Sequence, residues 1–376
     1  MIFNLLQYLP KHTKIKLDED LRKKLFSSKK VSEWSRQLKI PLKNMSRYKI
    51  GSRSLSLNLF KDLLKFSGLK LKDFQDKTQL KINPTGKYLR IGPFVDINES
   101  WVYVSELING DGHIPKKFWN ITFVNKDSGL IRYVKNFFIS LGLNESRLTI
   151  VKNKNVNFLI IRSSLLAYIF NKILEVSVGK KEEINIPYFI IKNKKLGISA
   201  VRGAFDAEGS ISFTGSRRIS ISSNSELWIS KLNKILIGLN IKSKVYKETR
   251  GRKKPLYRLF IYHIINLRRF ARIIKPLHTE RSFKLNNIIN EFNKNPSRIF
   301  HRKVLLSIQK RNLRRKEIAK DIKCGLVKTA NNIAYLKNKK FIIPIEKIYT
   351  NKGCYFKYNI TKKGLEYLKA GKSYYF

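Results

Sequence analysis

Two stretches of this 376-residue sequence are alike: Val104-Ser-Glu-Leu-Ile-Asn-Gly-Asp-Gly112 and Val201-Arg-Gly-Ala-Phe-Asp-Ala-Glu-Gly209. Each is largely apolar and ends in a small residue, an acid and a glycine. The two acids, Asp111 and Glu208, lie 97 residues apart in the chain (208 − 111). A duplicated unit of that length can bring two carboxylates together at a pseudo-twofold axis.

The similarity continues downstream of both stretches. The segments Ser128–Asn144 and Ser225–Asn240 each open with a serine that can cap a helix, carry apolar residues at helical spacing and close on Gly-Leu-Asn. The glycines of these closing triplets, Gly142 and Gly238, suit a helix stop. Strand-like runs follow in each copy: Leu148–Val151, Phe158–Ile161, Lys244–Tyr246 and Leu256–Tyr262.

The matched spacing predicts a repeated unit of helix, two strands, helix, two strands and helix. We expect this duplicated core to span residues 99–293, with halves at about 99–183 and 184–293. The remaining residues form two flanking parts, 1–98 and 294–376.

The charge of the chain indicates a polyanionic partner. Lys and Arg number 78 against 26 Asp and Glu, which gives a formal net charge of +52. A bias in base composition enriches Lys but does not by itself deplete acids, so we expect nucleic acid as the partner. Because no run of about 18 apolar residues is present, we predict no membrane span. A hydrophobic content of 43% indicates a packed core rather than global disorder.

Cysteine usage and the first residues bear on the compartment. Cys324 and Cys354 are the two cysteines of the sequence, so neither a disulfide framework nor a cysteine-type zinc site is indicated. Met1–Pro10 is too short for a signal peptide and lacks its charged leader. We therefore expect an intracellular protein, cytoplasmic or nucleoid-associated, and an organellar location is also compatible.

Both flanking parts have patterns typical of small DNA-binding modules. Val31–Gly51 resembles a helix-turn-helix, in which the second helix presents Lys43, Asn44 and Arg47 to the major groove. The part after residue 299 has three short helical patterns followed by two strand-like runs, which is the order of a winged helix. The alternatives are a helical packing module and a generic α+β module, respectively.

The two repeated stretches resemble the dodecapeptide motif of the LAGLIDADG homing endonucleases, in their single-chain form with two motifs. The second motif, Ala200–Ile211, matches closely, and the first matches from Leu107 to Ile114. Glu106 stands where the family usually has a glycine at the helix contact, which leads us to expect looser packing there. Intein splicing residues are not evident, so we expect a freestanding protein. We also expect a monomer.

The resemblance covers about residues 99–293 and implies an α+β fold. It implies a pseudo-twofold duplicated αββαββα LAGLIDADG core, flanked here by the helix-turn-helix and winged-helix modules. In the family, the two motif helices pack at the interface of the halves, and the strands form a saddle over a DNA duplex.

Small residues explain how two such helices can approach. Gly110, Gly203 and Ala207 lie on the contact face and allow close backbone packing. Gly112 and Gly209 are expected to take the left-handed conformation that ends a helix. Each acid then lies at the negative end of a helix dipole, where two carboxylates repel each other.

A divalent cation would relieve this repulsion, and oxygen ligands suit Mg²⁺. The resemblance implies that Asp111 and Glu208 are catalytic residues and metal ligands, with the carbonyls of Gly110 and Ala207 nearby. It also implies a cofactor, Mg²⁺ or another divalent cation, and hydrolysis of both DNA strands. Taken singly, an acid before a glycine is often only a helix end. We interpret His113 as a strand residue and Asp206 as a capping or pairing acid.

Basic residues near the motifs and on the later strands are candidates for DNA contacts. They are Lys116, Lys117, Arg162, Arg217, Arg218, Arg250, Arg252, Lys253, Lys254 and Arg258. A solvated charged loop is the alternative for residues 250–254. Phosphate contacts of this kind make binding fall steeply with salt.

Three functions remain open from the sequence. The first is a site-specific, Mg²⁺-dependent endonuclease that cuts double-stranded DNA. The second is a non-cleaving DNA-binding transcriptional regulator, and the third is an RNA maturase that assists the splicing of intron RNA. The presence of both motif acids favours cleavage.

Overall fold

A computed structural model describes residues 1–75, 77–82, 87–180, 183–212, 217–249, 251, 254–294, 297–311, 314–350 and 353–369. The chain forms two compact units, Met1–Asn286 and Asn287–Phe376. The division of the sequence at residues 98 and 293 stays a prediction. Among the described residues, no helix combines the length and the apolar character needed to cross a membrane.

Short strands and helices make up the first 98 residues. The elements are β1 Ile2–Asn4, β2 Lys14–Leu17, α1 Glu19–Ser27, α2 Val31–Gln37, α3 Leu42–Ile50, β3 Leu55–Ser56, α4 Leu57–Ser67, β4 Thr78–Lys81, β5 Leu89–Arg90 and β6 Phe94–Asp96. Four strands form an antiparallel sheet in the order β3-β2-β4-β5, and β1 pairs with β6. The sequence pattern did not indicate β2, β3 and β4, because runs of two to four residues show no clear alternation.

The helices α2 and α3 lie where the helix-turn-helix pattern predicted them. Trp34 and Met45 are fully buried and hold the pair against the rest of the unit. Lys43 and Arg47 are exposed on α3, and the Asn44 side-chain oxygen accepts a hydrogen bond from Arg53 at 3.1 Å. A DNA-binding role for this helix pair stays a prediction.

The duplicated core contains the same element order twice. The first copy consists of α5 Glu99–Asp111, β7 Gly112–His113, β8 Ile121–Asn125, α6 Ser128–Ser140, β9 Leu148–Asn153, β10 Val156–Ile161 and α7 Ser164–Lys172. A short helix, α8 Tyr188–Lys192, precedes the second copy. The second copy consists of α9 Lys194–Glu208, β11 Gly209–Ser212, β12 Arg218–Ser223, α10 Glu226–Gly238, β13 Ser243–Glu248, β14 Leu256–Ile261 and α11 Ile264–Ile274. The next helix is α12 Thr279–Lys294.

The two sheets of the core have the same strand order. They run β7-β8-β10-β9 and β11-β12-β14-β13, with antiparallel pairing throughout. On β8 the buried positions alternate, with Ile121, Phe123 and Asn125 on the buried side, as a sheet with one covered face requires. The α+β class and the duplicated αββαββα order are therefore confirmed.

The ends of α6 and α10 differ in detail from the prediction. Ser225 caps α10 as predicted, by accepting from Trp228 N at 3.3 Å. Ser128 is the first residue of α6 rather than its cap, because the Asp127 carboxylate accepts from Gly129 N and Leu130 N at 2.8 and 3.2 Å.

Helices and a β-hairpin make up the second unit. Its elements are α13 Ser297–Lys310, α14 Arg315–Asp321, α15 Leu326–Asn338, β15 Ile342–Thr350, β16 Gly353–Ile360 and α16 Lys362–Lys369. Its core includes Val304, Ile318, Leu336 and Ile342. The predicted three helices and two strands are present, and α16 was not predicted. The turn residues 351 and 352 lie outside the described residues, and the winged-helix DNA-binding role stays a prediction.

Candidate active site

The two motif helices, α5 and α9, pack with their backbones in contact. A Cβ atom on Gly203 would lie 2.5 Å from the Tyr103 carbonyl oxygen and 2.8 Å from Glu106 Cβ. A Cβ atom on Gly110 would lie 2.3 Å from Ala207 Cβ. Real Cβ contacts are not this short, so both positions require glycine. The structure thus places Gly110, Gly203 and Ala207 in the helix contact.

Glu106 does not hold the helices apart. Its side chain is fully buried beside Gly203. The Trp228 indole Nε1 of the second half donates to Glu106 Oε2 at 2.6 Å, and Asn109 Nδ2 donates to Oε1 at 3.3 Å. Burial raises the pKa of Glu106 to about 8. The glycine on the opposite helix supplies the space, so the expected loosening of the contact is wrong.

Asp206 forms the reciprocal link from the second half to the first. Tyr103 Oη donates to Asp206 Oδ2 at 2.8 Å. The backbone amides of Leu277 and His278 donate to the same carboxylate at 2.8 and 3.2 Å. Burial raises the pKa of Asp206. Each half therefore contributes a buried carboxylate that accepts a hydrogen bond from an aromatic side chain of the other half.

The two motif acids lie at adjoining helix ends. A Cβ atom on Gly110 would be 3.2 Å from Glu208 Cγ, so Glu208 lies against the residue that precedes Asp111. Asp111 is half-buried, and Asn125 Nδ2 donates to its Oδ2 at 2.8 Å. Glu208 is exposed. The packing of α5 on α9 therefore brings together the helix ends that carry Asp111 and Glu208, which lie 97 residues apart in the sequence.

Gly112 and Gly209 end the motif helices in a different way from the one predicted. Their backbones are extended, with φ values of −112° and −75°, rather than left-handed. A Cβ atom on Gly112 would lie 2.7 Å from Ile108 Cα, and one on Gly209 would lie 2.3 Å from the Phe205 carbonyl oxygen. Glycine is needed at both positions because each strand leaves close to the last turn of its own helix. His113 is an exposed residue of β7.

Arg281, in the first turn of α12, is a residue of the site that the sequence did not reveal. Its Nη2 donates to the Ala207 carbonyl at 2.9 Å, and its Nη1 donates to the carbonyls of Phe205 and Asp206. Burial lowers the pKa of Arg281, and the carboxylates of Asp111, Asp206 and Glu208 oppose that shift. Among 78 basic residues, no sequence pattern distinguishes this one.

The residues predicted to bind a divalent cation are Asp111 and Glu208, with the carbonyls of Gly110 and Ala207. In the described ranges, no group of three or more His, Cys, Asp or Glu side chains could hold a metal ion. The adjoining carboxylates of Asp111 and Glu208 are hard oxygen ligands that fit Mg²⁺, which commonly uses one or two carboxylates together with water and phosphate. The Ala207 carbonyl already accepts from Arg281, so the carboxylates are the better-fitting part of the predicted set.

A family model described as a LAGLIDADG-like domain matches residues 198–275, which include the second motif helix and its sheet. Residues 198–275 therefore contain a LAGLIDADG-like domain. A search of curated proteins found no match.

Solved structures of LAGLIDADG proteins resemble the chain at low sequence identity. One is I-DmoI in complex with DNA and Mn, at 19% identity and a TM-score of 0.37, covering 47% of this chain and 96% of that chain. Another is full-length DUF199/WhiA from Thermatoga maritima, at 15% identity and a TM-score of 0.36, covering 65% of this chain and 93% of that chain. A third is the N-terminal LAGLIDADG domain of DUF199/WhiA, at 17% identity and a TM-score of 0.34, covering 47% and 82%.

The predicted DNA-contact residues of the duplicated core have different surroundings. Lys116 and Lys117 are exposed after β7, and Lys117 Nζ lies 5.2 Å from the Trp119 ring centroid. Arg217 precedes β12, and the Arg218 guanidinium lies 4.5 Å from the Phe260 ring centroid. Lys254 is exposed. Three further candidates lie outside the described residues: Arg250, Arg252 and Lys253.

Arg162 and Arg258 lie at the corresponding strands β10 and β14 of the two sheets, but they differ in position along them. Arg162 follows the last residue of β10 and donates to Thr149 Oγ1 at 2.6 Å. Arg258 is the third residue of β14 and forms an ion pair with Glu248 at 2.9 Å.

Proposed function

We propose that the chain is a site-specific endonuclease that hydrolyses both strands of duplex DNA with the help of a divalent cation. The observation that carries this proposal is the juxtaposition of Asp111 and Glu208. Two carboxylates at the C-terminal ends of packed helices concentrate negative charge, and a divalent cation is the partner that such a site suits. The net charge of +52 supports a polyanionic substrate.

The residues of the chain have separate tasks in this mechanism. Asp111 and Glu208 would hold the cation, and the Asn125 amide orients the Asp111 carboxylate through its 2.8 Å hydrogen bond. A Mg²⁺ ion held by these two acids would polarise a phosphate oxygen and lower the pKa of a bound water. Exposed cations such as Lys116 and Lys117 after the first motif, and Arg162 after β10, would bind DNA phosphates and fix the register of the duplex.

A non-cleaving DNA-binding role is the second candidate. It is favoured by Arg281, whose guanidinium supplies a fixed positive charge at the end of α9. A side-chain cation at this place stabilises the acid pair without a metal, so retention of the acids does not by itself require catalysis.

The deciding experiment incubates the purified chain with a library of duplex sites, in Mg²⁺ and in EDTA. We expect a double-strand cut at an enriched site that EDTA abolishes. Asp111→Asn and Glu208→Gln should each lower the cleavage rate by on the order of 100-fold or more, because each removes a ligand of the ion that stabilises transition-state charge. Their DNA affinity should stay within about threefold of wild type, since neither residue is a cation that neutralises phosphate.

Glu145→Gln is the matched control, because it removes one exposed carboxylate of the first half away from the motif helices. It should cleave at the wild-type rate. Tight, sequence-specific binding with no metal-dependent cut would favour the non-cleaving role. Full activity of Asp111→Asn and Glu208→Gln would refute the assignment of the site.

A further inference from the structure

The ends of the two motif helices differ in charge. At the end of α5, the side chain that donates to Asp111 is the neutral amide of Asn125. At the end of α9, the donor to the last carbonyls is the guanidinium of Arg281. The guanidinium of Arg281 thus lies at the end of α9 and interacts electrostatically with both motif acids.

Both halves fix the segment that carries Arg281. Asp127 of the first half accepts from Thr279 N at 2.6 Å through its Oδ2, while its Oδ1 caps α6. Asp206 of the second half accepts from Leu277 N and His278 N. The guanidinium is therefore held in place by hydrogen bonds that do not depend on a bound ligand.

Arg281 remains charged despite its burial. A guanidinium keeps its proton under all ordinary conditions, and the carboxylates of Asp111, Asp206 and Glu208 favour the charged form. The charge lies at the negative end of the α9 dipole, where a cation is stabilised. A divalent cation held by Asp111 and Glu208 would be repelled by it.

We propose that Arg281 is a resident cation of the acid pair, which offsets part of the carboxylate charge and weakens divalent-cation binding in the absence of DNA. The inference rests on the proposed metal-binding role of the two acids. Phosphate oxygens supply the additional negative charge, so the cation is taken up together with the DNA. Arg281 acts in this way through its charge, and its hydrogen bonds to the α9 carbonyls keep that charge in place.

The test is a titration of the full chain, without DNA, with Mn²⁺ as the probe and free Mn²⁺ measured by electron paramagnetic resonance. Arg281→Gln should bind Mn²⁺ on the order of tenfold more tightly than wild type, because one nearby positive charge is removed. Arg281→Lys should stay within about twofold of wild type, because it keeps the charge. The double variant Arg281→Gln with Asp111→Asn should lose the gain.

Arg272→Gln is the control, since it removes one exposed positive charge from α11 of the same half and should leave Mn²⁺ affinity unchanged. Unchanged or weaker binding by folded Arg281→Gln would overturn the inference. If Arg281→Gln does not show a cooperative thermal transition, the Mn²⁺ affinity of Arg281→Lys is the deciding measurement. Unchanged Mn²⁺ affinity then supports the charge role, and a loss of more than about threefold refutes it.

Failure of this inference and failure of the proposed function have different signatures. A chain that cuts DNA but gains no Mn²⁺ affinity in Arg281→Gln keeps the endonuclease function and loses the resident-cation role. A chain that never cuts DNA, but whose Arg281→Gln variant gains Mn²⁺ affinity through Asp111, keeps the resident cation and loses the endonuclease function.

Discussion

The first and second halves of the core have the same strand order and different chemistry at their motif helices. Asp111 is half-buried and oriented by Asn125, whereas Glu208 is exposed at a helix end that Arg281 caps. A duplicated backbone brings two acids together, but the residues that surround them differ. The two carboxylates are therefore not interchangeable, although the fold relates them by a pseudo-twofold axis.

The contact between the two motif helices also joins different residues, which are complementary in size. Glu106 of α5 lies against Gly203 of α9. Because Gly203 is itself the counterpart of Glu106 in the repeat, α9 has no carboxylate at the equivalent position. Two copies of α5 would place carboxylate against carboxylate, which is costly in a dry interface. The contact is thus specific for one first half and one second half.

The largest expected effect comes from filling this contact. In Gly203→Ala, the new methyl group would lie 2.5 Å from the Tyr103 carbonyl oxygen and 2.8 Å from Glu106 Cβ. We expect a loss of about 3 kcal/mol or more in the free energy of unfolding, because backbone atoms have to move. Urea unfolding monitored by circular dichroism measures it.

Gly238→Ala at the end of α10 is the matched control, since nothing lies within 4 Å of a Cβ atom there. Alanine is the better helix former, so this variant should be neutral or gain a few tenths of a kcal/mol. Equal losses in the two variants would mean that the motif helices are not in contact through Gly203.

The second effect concerns the buried carboxyl of Glu106. Its pKa rises from an ordinary value of 4.5 to about 8 on folding, so between these values the folded chain holds a proton that the unfolded chain releases. Stability from this group is fully present below pH 4.5 and falls by roughly 1.4 kcal/mol per pH unit until about pH 8. Glu106→Gln does not titrate and should lack this slope.

The measurement is the free energy of unfolding of both proteins at several pH values from 5 to 8. The difference between wild type and Glu106→Gln isolates the contribution of Glu106, because Asp206, whose raised pKa gives a slope of the same sign, is present in both. Glu145→Gln should keep the wild-type slope. Parallel curves for wild type and Glu106→Gln would show that Glu106 titrates as an exposed acid.

Much of the fold could be predicted because repetition is visible in sequence. The two motifs, the spacing to α6 and α10, and the strand-like runs all follow from periodicity in segments long enough to show it. The strands β2 and β3 were missed because they are too short. The cap of α6 was assigned one residue late, because an aspartate and a serine at neighbouring positions are both good caps.

Only those residues of the candidate site that belong to the repeated motifs could be predicted from the sequence. Asp111 and Glu208 are marked by the glycines that follow them, and Gly203 is marked by its place in the repeat. Three contacts of the site join residues that are separated in the chain: Arg281 with Ala207, Asn125 with Asp111, and Trp228 with Glu106. Such contacts depend on tertiary packing, and in a sequence with 78 basic residues an additional arginine carries no signal.

The smallest effect distinguishes the basic residues of the two sheets. Arg162 is exposed and donates to the neutral Thr149 hydroxyl, whereas Arg258 is paired with Glu248 at 2.9 Å. If both arginines face DNA, Arg162 neutralises a phosphate and Arg258 largely neutralises Glu248. Arg162→Ala should therefore reduce the slope of log affinity against log salt concentration by about 0.9, and Arg258→Ala should reduce it by much less.

Glu248→Gln sharpens this comparison, because it releases the Arg258 charge without removing the arginine. In this variant, the slope of log affinity against log salt concentration should become steeper by up to about 0.9. Its free energy of unfolding should change by about 0.5 kcal/mol or less, as is usual for an ion pair this exposed. Fluorescence anisotropy with a labelled duplex at 50 to 200 mM salt (about the range over which counterion release dominates) measures the slopes. A loss for Arg258→Ala as large as that for Arg162→Ala would show that the ion pair opens on DNA, and the two sheets would then contribute equally despite their different registers.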